Sequence, residues 1–66
     1  MPFVNIKLAG QITDEKKKEL IIATAEMLET ILGKPKDSTY TVIDEVNPNN
    51  WGKGDESIAE IRAKNT

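Results

Sequence analysis

The sequence contains neither cysteine nor histidine. Without cysteine no disulfide can form, and without either residue the usual sulfur and nitrogen ligands of a structural zinc site are missing. The same absences exclude a Cys-His pair, a Ser-His-Asp triad and a histidine metal site. Acid-base chemistry must therefore come from carboxylates, lysines, the single tyrosine or the chain terminus, and we predict neither a metal nor a cofactor.

Long apolar runs and blocks of one charge are also absent. The apolar stretches are far shorter than the ~20 residues that cross a bilayer, and we see no signal or transit segment at the start. Nine basic and eleven acidic residues are interspersed, and the one basic run, Lys16 to Lys18, is followed by Glu19. Gly52-Lys53-Gly54 lacks the context of a phosphate loop. We predict a cytoplasmic protein that binds neither membrane nor nucleic acid.

The chain has only 66 residues, which we interpret as a single domain, 1–66. A domain this small buries a modest fraction of its surface, so its stability alone would be marginal. Because disulfides and zinc are excluded, we expect association with further copies of the chain to supply the missing stability.

Two periodicities predict the first elements. Apolar residues alternate over 3–8, which is typical of a half-buried strand. Helical spacing of apolar residues over 14–32 predicts a long helix. Thr13 is placed to cap its start, Gly33 to end it in a left-handed conformation, and Pro35 prevents it from resuming.

Residues 39–46 are rich in β-branched side chains and predict a second strand. Strand, helix and strand form a βαβ unit, so we expect two parallel strands and an α/β fold, α+β in some schemes. One helix covers one face of such a sheet, and a symmetric partner is the economical cover for the face that carries Phe3. Ile22, in the middle of the polar face of the helix, is either an isolated exposed residue or a subunit contact.

The C-terminal third is rich in turn residues. Residues 46–56 contain Pro48, Gly52 and Gly54 around the only tryptophan, and we expect a short hairpin there. Residues 57–62 predict a helical turn or an arm. Residues 63–66 are expected to fray.

The chain terminus is the most distinctive candidate for acid-base work. Asp44 and Glu45 are adjacent in a strand and point to opposite faces, which argues against a paired-carboxylate site. Pro2 follows Met1, and a small second residue generally permits removal of the methionine, which would leave a secondary amine. An α-amino group titrates at roughly 7.7–8.0, close enough to neutrality to serve as a general base. Alone, however, Met-Pro is an ordinary way to begin a protein.

Several short motifs occur in a distinctive order along nearly the whole chain. They are Met1-Pro2 leading into a strand, T-D-E-K at 13–16, Gly33 and Pro35 after the helix, V-I-D-E at 42–45, and N-W-G-K-G at 50–54. Together they resemble the 4-oxalocrotonate tautomerase family, in particular its small 2-hydroxymuconate tautomerase-like members. The resemblance implies a βαβ subunit with a C-terminal hairpin and a homo-oligomer, usually a hexamer built as a trimer of dimers.

The resemblance also implies an activity and a site. Pro2 would act as the general base of a cofactor-independent isomerase that interconverts enol or dienol and keto forms of a small unsaturated 2-oxo acid. Trp51 falls at the position of the aromatic residue that lines the family's pocket, where an indole would exclude water and keep the pKa of Pro2 low.

Two departures from the family's pattern put the substrate in question. The family's best-known member has one arginine before the helix and one early in the second strand. Here Ile12, or Gln11 if the loop shifts by one residue, and Tyr40 take those places, and none can replace a guanidinium. Arg62 could supply a carboxylate contact from a neighbouring subunit or be solvated, and Tyr40 could bond an oxyanion or pack on the sheet. We therefore expect weak or no activity on the dicarboxylate 2-hydroxymuconate and better use of a monocarboxylate or aromatic enol.

Two alternatives remain open on the sequence. One is a related proline-dependent hydratase or dehalogenase, in which a cationic proline acts as an acid. The other is a non-enzymatic oligomer that kept the fold and lost the arginines.

Overall fold

The computed structural model describes residues 1–65 and contains two helices and four strands. They are β1 (Phe3–Ala9), α1 (Asp14–Leu32), β2 (Tyr40–Val46), β3 (Gly52–Lys53), β4 (Glu56–Ser57) and α2 (Ile58–Lys64), with single 3-10 turns at Lys36–Ser38 and Pro48–Asn50. None of the helices in this described part is both long enough and apolar enough to cross a membrane.

Strands β1 and β2 are parallel, in a register that runs from Phe3 opposite Tyr40 to Ala9 opposite Val46. Helix α1 connects them, which confirms the predicted βαβ unit. Strand β2 begins at Tyr40, one residue later than predicted, and Thr39 closes the preceding turn, where its N–H donates to the carbonyl of Lys36. Strand β1 extends one residue beyond the prediction, to Ala9.

Both predicted ends of α1 are confirmed. The hydroxyl oxygen of Thr13 accepts the N–H of Lys16 at 3.2 Å, which satisfies one of the free donors in the first turn. Gly33 has φ 69°, and its N–H donates to the carbonyl of Glu29. Glycine suits this left-handed cap because it has no Cβ to clash.

Among the described residues, no apolar side chain is fully buried, and the one buried side chain is Thr24. The sheet face away from α1 carries Phe3, Tyr40 and Val42, exposed by 63, 55 and 41%. Ile22 is 47% exposed on the helix. A chain that leaves so much apolar surface in water gains little hydrophobic stabilisation alone, which agrees with the association expected from its size.

The C-terminal hairpin is confirmed, since β3 and β4 are antiparallel. The prediction that residues 63–66 fray is wrong for Ala63 and Lys64, which belong to α2; Thr66 lies outside the described residues. Helix α2 is held by a capping box, in which Ser57 accepts from the N–H of Glu60 and Glu60 accepts from the N–H of Ser57. This reciprocal pair satisfies two donors and stabilises the extra turn.

Candidate active site

Pro2 lies immediately before β1 and is tied to the start of β2. Its carbonyl accepts the N–H of Tyr40 at 2.9 Å, and its ring is half-buried, whereas Met1 is 85% exposed. Removal of Met1 would therefore free an amine at a fixed place on the sheet. The side chain of Tyr40 lies on the same face and at the same end of the sheet as Phe3, its register neighbour.

Trp51 and Arg62 lie at the other end of the sheet. Arg62 Nη1 donates to the carbonyl of Ala9 at 3.0 Å, and the carbonyl of Trp51 accepts the N–H of Ile58, one helical turn before Arg62. At ~3.3 Å per residue, β1 separates this end from Pro2 by roughly 20 Å. Within one chain, the sequence-predicted site residues therefore form two separate pairs, Pro2 with Tyr40 and Trp51 with Arg62.

The loop between β1 and α1 is fixed by a carboxylate that our sequence analysis did not select. Glu45 Oε2 accepts the N–H of Ile12 at 2.8 Å, and Glu45 Oε1 lies 2.8 Å from Lys17 Nζ. The hydrogen bond from Lys17, together with that from Ile12, lowers the pKa of Glu45 below its usual value. The same carboxylate raises the pKa of Lys17. Because Glu45 and Asp44 point to opposite faces, as predicted, Glu45 faces the helix while Asp44 pairs with Lys7 on the open face.

A groove of about 300 Å³ opens at the carboxyl ends of β1 and β2. Its lining residues come from the two loops that leave these strands: Gly10, Gln11, Glu45, Val46, Asn47 and Pro48. Gln11 therefore borders this groove, whereas Ile12 lines a separate, largely apolar depression along α1 with Leu20 and Ala23. The carboxyl ends of parallel strands are a common place for ligand sites.

No acidic cluster in the part of the chain that the structure describes could hold a metal ion. The candidate groups are a phenol at Tyr40, an indole at Trp51, a guanidinium at Arg62 and, if Met1 is removed, an amine at Pro2. These groups can take up a proton, donate hydrogen bonds, exclude water and bind a carboxylate.

Comparison with known proteins identifies the class of protein. The family model described as "Tautomerase enzyme" matches residues 2–61. The chain is 46% identical over 68 residues to a probable tautomerase of Helicobacter pylori (strain J99), with 98% of this chain and 100% of that protein covered. The chain belongs to the tautomerase family.

Solved structures agree in fold. The crystal structure of DmpI from Helicobacter pylori superimposes with a TM-score of 0.87 at 40% identity, covering 94% of this chain and 97% of that one. A heterohexameric 4-oxalocrotonate tautomerase from Chloroflexus aurantiacus superimposes with a TM-score of 0.83 at 29% identity, covering 94% of this chain and 100% of that one. The family and fold expected from the sequence motifs are confirmed, and the family supports an isomerase activity.

Proposed function

We propose that the protein is a cofactor-independent keto-enol tautomerase whose general base is the amine of Pro2 after removal of Met1. The observation that carries this proposal is the position of Pro2 in a chain of the tautomerase family. It is half-buried, held by the N–H of Tyr40, and preceded by a methionine that is 85% exposed. A terminal amine whose pKa lies near neutrality is partly in its free-base form, which can accept a proton. Its protonated form is acidic enough to return that proton.

The proposed substrate is a small unsaturated 2-oxo acid in its enol or dienol form. In the enol-to-keto direction, the nitrogen of Pro2 takes the proton of the enol hydroxyl, and the oxygen forms the C=O bond while the C=C electrons move along the conjugated system. The nitrogen then returns the proton to the carbon at the end of that system. No redox change occurs and no further reactant is needed. Trp51 would exclude water from the amine, and Tyr40, at the same end of the sheet as Pro2, would donate a hydrogen bond to a developing oxyanion.

The proposed assembly is a homo-oligomer, a hexamer formed as a trimer of dimers. Its support is the apolar surface left exposed by one chain and the likeness to a heterohexameric relative. The separation of Pro2 from Trp51 within a chain gives a further reason, because a complete site then needs residues from more than one copy. The cytoplasmic location stays a prediction.

The decisive experiment combines intact mass with one substitution. The mass of natively produced protein should correspond to a chain that begins at Pro2. Pro2→Ala exchanges the ring-held secondary amine for a freely rotating primary amine, and should then lower kcat on a small enol acid by ~10²-fold or more, within the range that a positioned base contributes, without changing the assembly. Pro35→Ala, a proline in the loop after α1, serves as the matched control and should keep its activity. Retained methionine, or an unaffected rate in Pro2→Ala, would refute the assignment.

A further inference from the structure

The outer edge of β1 is open. The N–H of Tyr40 donates to the carbonyl of Pro2, and the N–H of Gly10 donates to the carbonyl of Val46. Backbone groups of successive residues in a strand point to alternate sides, so the even-numbered residues from 2 to 10 face β2 and the odd-numbered ones face away. No other strand of the described chain pairs with β1. Phe3, Asn5 and Lys7 therefore present unpaired backbone groups along this edge.

The last carbonyl on this edge, that of Ala9, is occupied by Arg62. Its Nη1 donates to Ala9 at 3.0 Å and lies 3.7 Å from the place of a Cβ on Gly10. Arg62 is the one arginine in the sequence, and no carboxylate of residues 1–65 lies within ion-pair distance of it. A guanidinium has five N–H donors, so a neutral acceptor fixes this side chain while its charge stays uncompensated. Such a group is suited to bind a carboxylate with two parallel hydrogen bonds.

A second copy of the chain fits this open edge better than it fits the edge of β2. Helix α1 contacts the sheet mainly through β2, so β1 is the less covered strand. Two copies related by a two-fold axis can pair their β1 strands antiparallel with Asn5 opposite Asn5. This register uses the outward groups of Phe3, Asn5 and Lys7, places each Phe3 opposite a Lys7, opposes no like charges, and leaves the carbonyl of Ala9 to Arg62.

In this pairing Ala9 of one copy lies opposite the position of Met1 of the other. Removal of Met1 empties that position and leaves the amine of Pro2 at the end of the strand beside it, next to Arg62 on Ala9 of the second copy. A register shifted by two residues, with Asn5 opposite Lys7, also places the start of β1 in one copy beside the end of β1 in the other. In either register, Pro2 and Tyr40 of one copy lie at the same end of the paired strands as Trp51 and Arg62 of the other.

We propose that Arg62, anchored on the carbonyl of Ala9, binds the substrate's carboxylate at the Pro2 site of a second copy paired along β1, and that the ligand is a small monocarboxylate enol. This inference rests on the proposed function of Pro2. A single cation matches a single carboxylate, and its charge beside the amine also favours the free-base form. The carboxylate places the enol next to Pro2, with Trp51 at the same end of the sheet.

The first test separates carboxylate binding from structural support. Two enols are compared that share a phenyl ring, the enol of phenylpyruvate and the enol of phenylacetaldehyde, which lacks the carboxylate. Arg62→Ala should lower kcat/KM for the acid on the order of 10²-fold, mainly through KM, because truncating one partner of such a charge pair is costly. It should leave the aldehyde enol within about threefold. Arg62→Lys should recover part of the loss, and Lys18→Ala, which removes an unpaired cation from α1, should match the wild type on both.

The outcomes distinguish this inference from the proposed function. If Arg62→Ala loses activity equally on both enols, Arg62 supports the structure only and the inference is wrong. If Arg62→Ala is unaffected on the acid while Pro2→Ala is inactive, the inference fails and the role of Pro2 stands. If Pro2→Ala keeps full activity, the proposed function itself fails. Circular dichroism and sedimentation of each variant establish that the fold and assembly are retained.

The second test asks whether Arg62 acts across the pair. Pro2→Ala chains and Arg62→Ala chains are unfolded together, refolded as a mixture and assayed on the enol acid. A hybrid pair contains one site with both residues intact, so random association should restore about a quarter of the wild-type activity per chain. Replacing the Pro2→Ala partner by a chain that carries both substitutions should restore none. Failure of the first mixture to recover activity would overturn the inference.

Discussion

Glu45 and Lys17 join the second strand to the helix through a 2.8 Å contact between carboxylate and ammonium. The other oxygen of Glu45 accepts the N–H of Ile12, so one side chain connects β2, α1 and the loop before α1. An ion pair that also accepts a backbone hydrogen bond is better fixed than a freely moving surface pair.

Replacing this carboxylate should loosen the loop. Glu45→Gln keeps the size of the side chain and removes its charge, so we expect Tm to fall by roughly 2–5 °C at equal protein concentration. Glu19→Gln, which removes a more exposed ion pair with Lys16, is the control and should change Tm by less than about 1 °C. Equal effects of the two substitutions would contradict a special role for Glu45.

The same pair predicts a pH dependence. The pKa of Glu45 is lowered in the folded chain, so the folded state binds fewer protons than the unfolded state. Its contribution to stability is complete above the unfolded-state pKa of a glutamate and is lost as pH falls through the lowered folded value. In urea unfolding between pH 7 and pH 3, the difference between wild type and Glu45→Gln should therefore shrink toward the acid end. A constant difference would show that the ion pair is not its cause.

Gly33→Ala should destabilise the end of α1. The residue has φ 69°, and a Cβ in the left-handed region costs about 1 kcal/mol or slightly more. Open space surrounds the position, so the backbone conformation and not a clash causes the loss. Gly52→Ala is the control because Gly52 has no positive φ and only ordinary contacts. Chemical denaturation measures the free energy of unfolding of both variants. Equal values would show that the left-handed cap at Gly33 is not maintained in solution.

The capping box of α2 should control the position of Arg62. Ser57→Ala removes the acceptor of the N–H of Glu60, a loss of about 1 kcal/mol for a helix start. Hydrogen exchange should accelerate in α2 and stay unchanged in α1. KM for the enol acid should rise at the same time, since Arg62 lies in the same short helix. Thr13→Ala, which removes the cap of α1, gives the opposite exchange pattern and serves as the comparison.

Substrate selection should follow the loop that borders the groove. We expect the wild type to turn over a monocarboxylate enol well and the dicarboxylate 2-hydroxymuconate weakly. Gln11→Arg places a guanidinium at the groove and should raise kcat/KM for the dicarboxylate by about tenfold or more. Ile12→Arg should not, because Ile12 lines the apolar depression along α1 instead. Efficient wild-type turnover of the dicarboxylate would contradict the expected preference.

The sequence predicted the elements whose signals are local. Alternation over 3–8, the Thr13 cap and the Gly33 end each depend on a few neighbouring residues, and the structure confirms them. The capping box at Ser57 and Glu60 is equally local and could have been found from the spacing of serine and glutamate. It would have favoured a helix over an arm after Ser57.

The contacts that shape the candidate site could not be predicted in the same way. Ile12 and Glu45 are 33 residues apart, and Ala9 and Arg62 are 53 apart. Whether such residues meet depends on how the strands align and on where α2 docks, and no local pattern encodes either. Arg62 could therefore be selected as a candidate from the sequence, but its hydrogen bond to the carbonyl of Ala9 could not be predicted.

The lack of a fully buried apolar side chain in the described residues affects how the protein folds and assembles. With no apolar side chain of residues 1–65 fully buried in a single copy, most of the hydrophobic gain in the proposed oligomer would come from association, and folding and association would be one concentration-dependent reaction. Dilution should then unfold the chain as well as separate it. In that oligomer a substitution of an exposed residue such as Phe3 would act mainly on the neighbouring copy, because each chain would supply part of the interior of another.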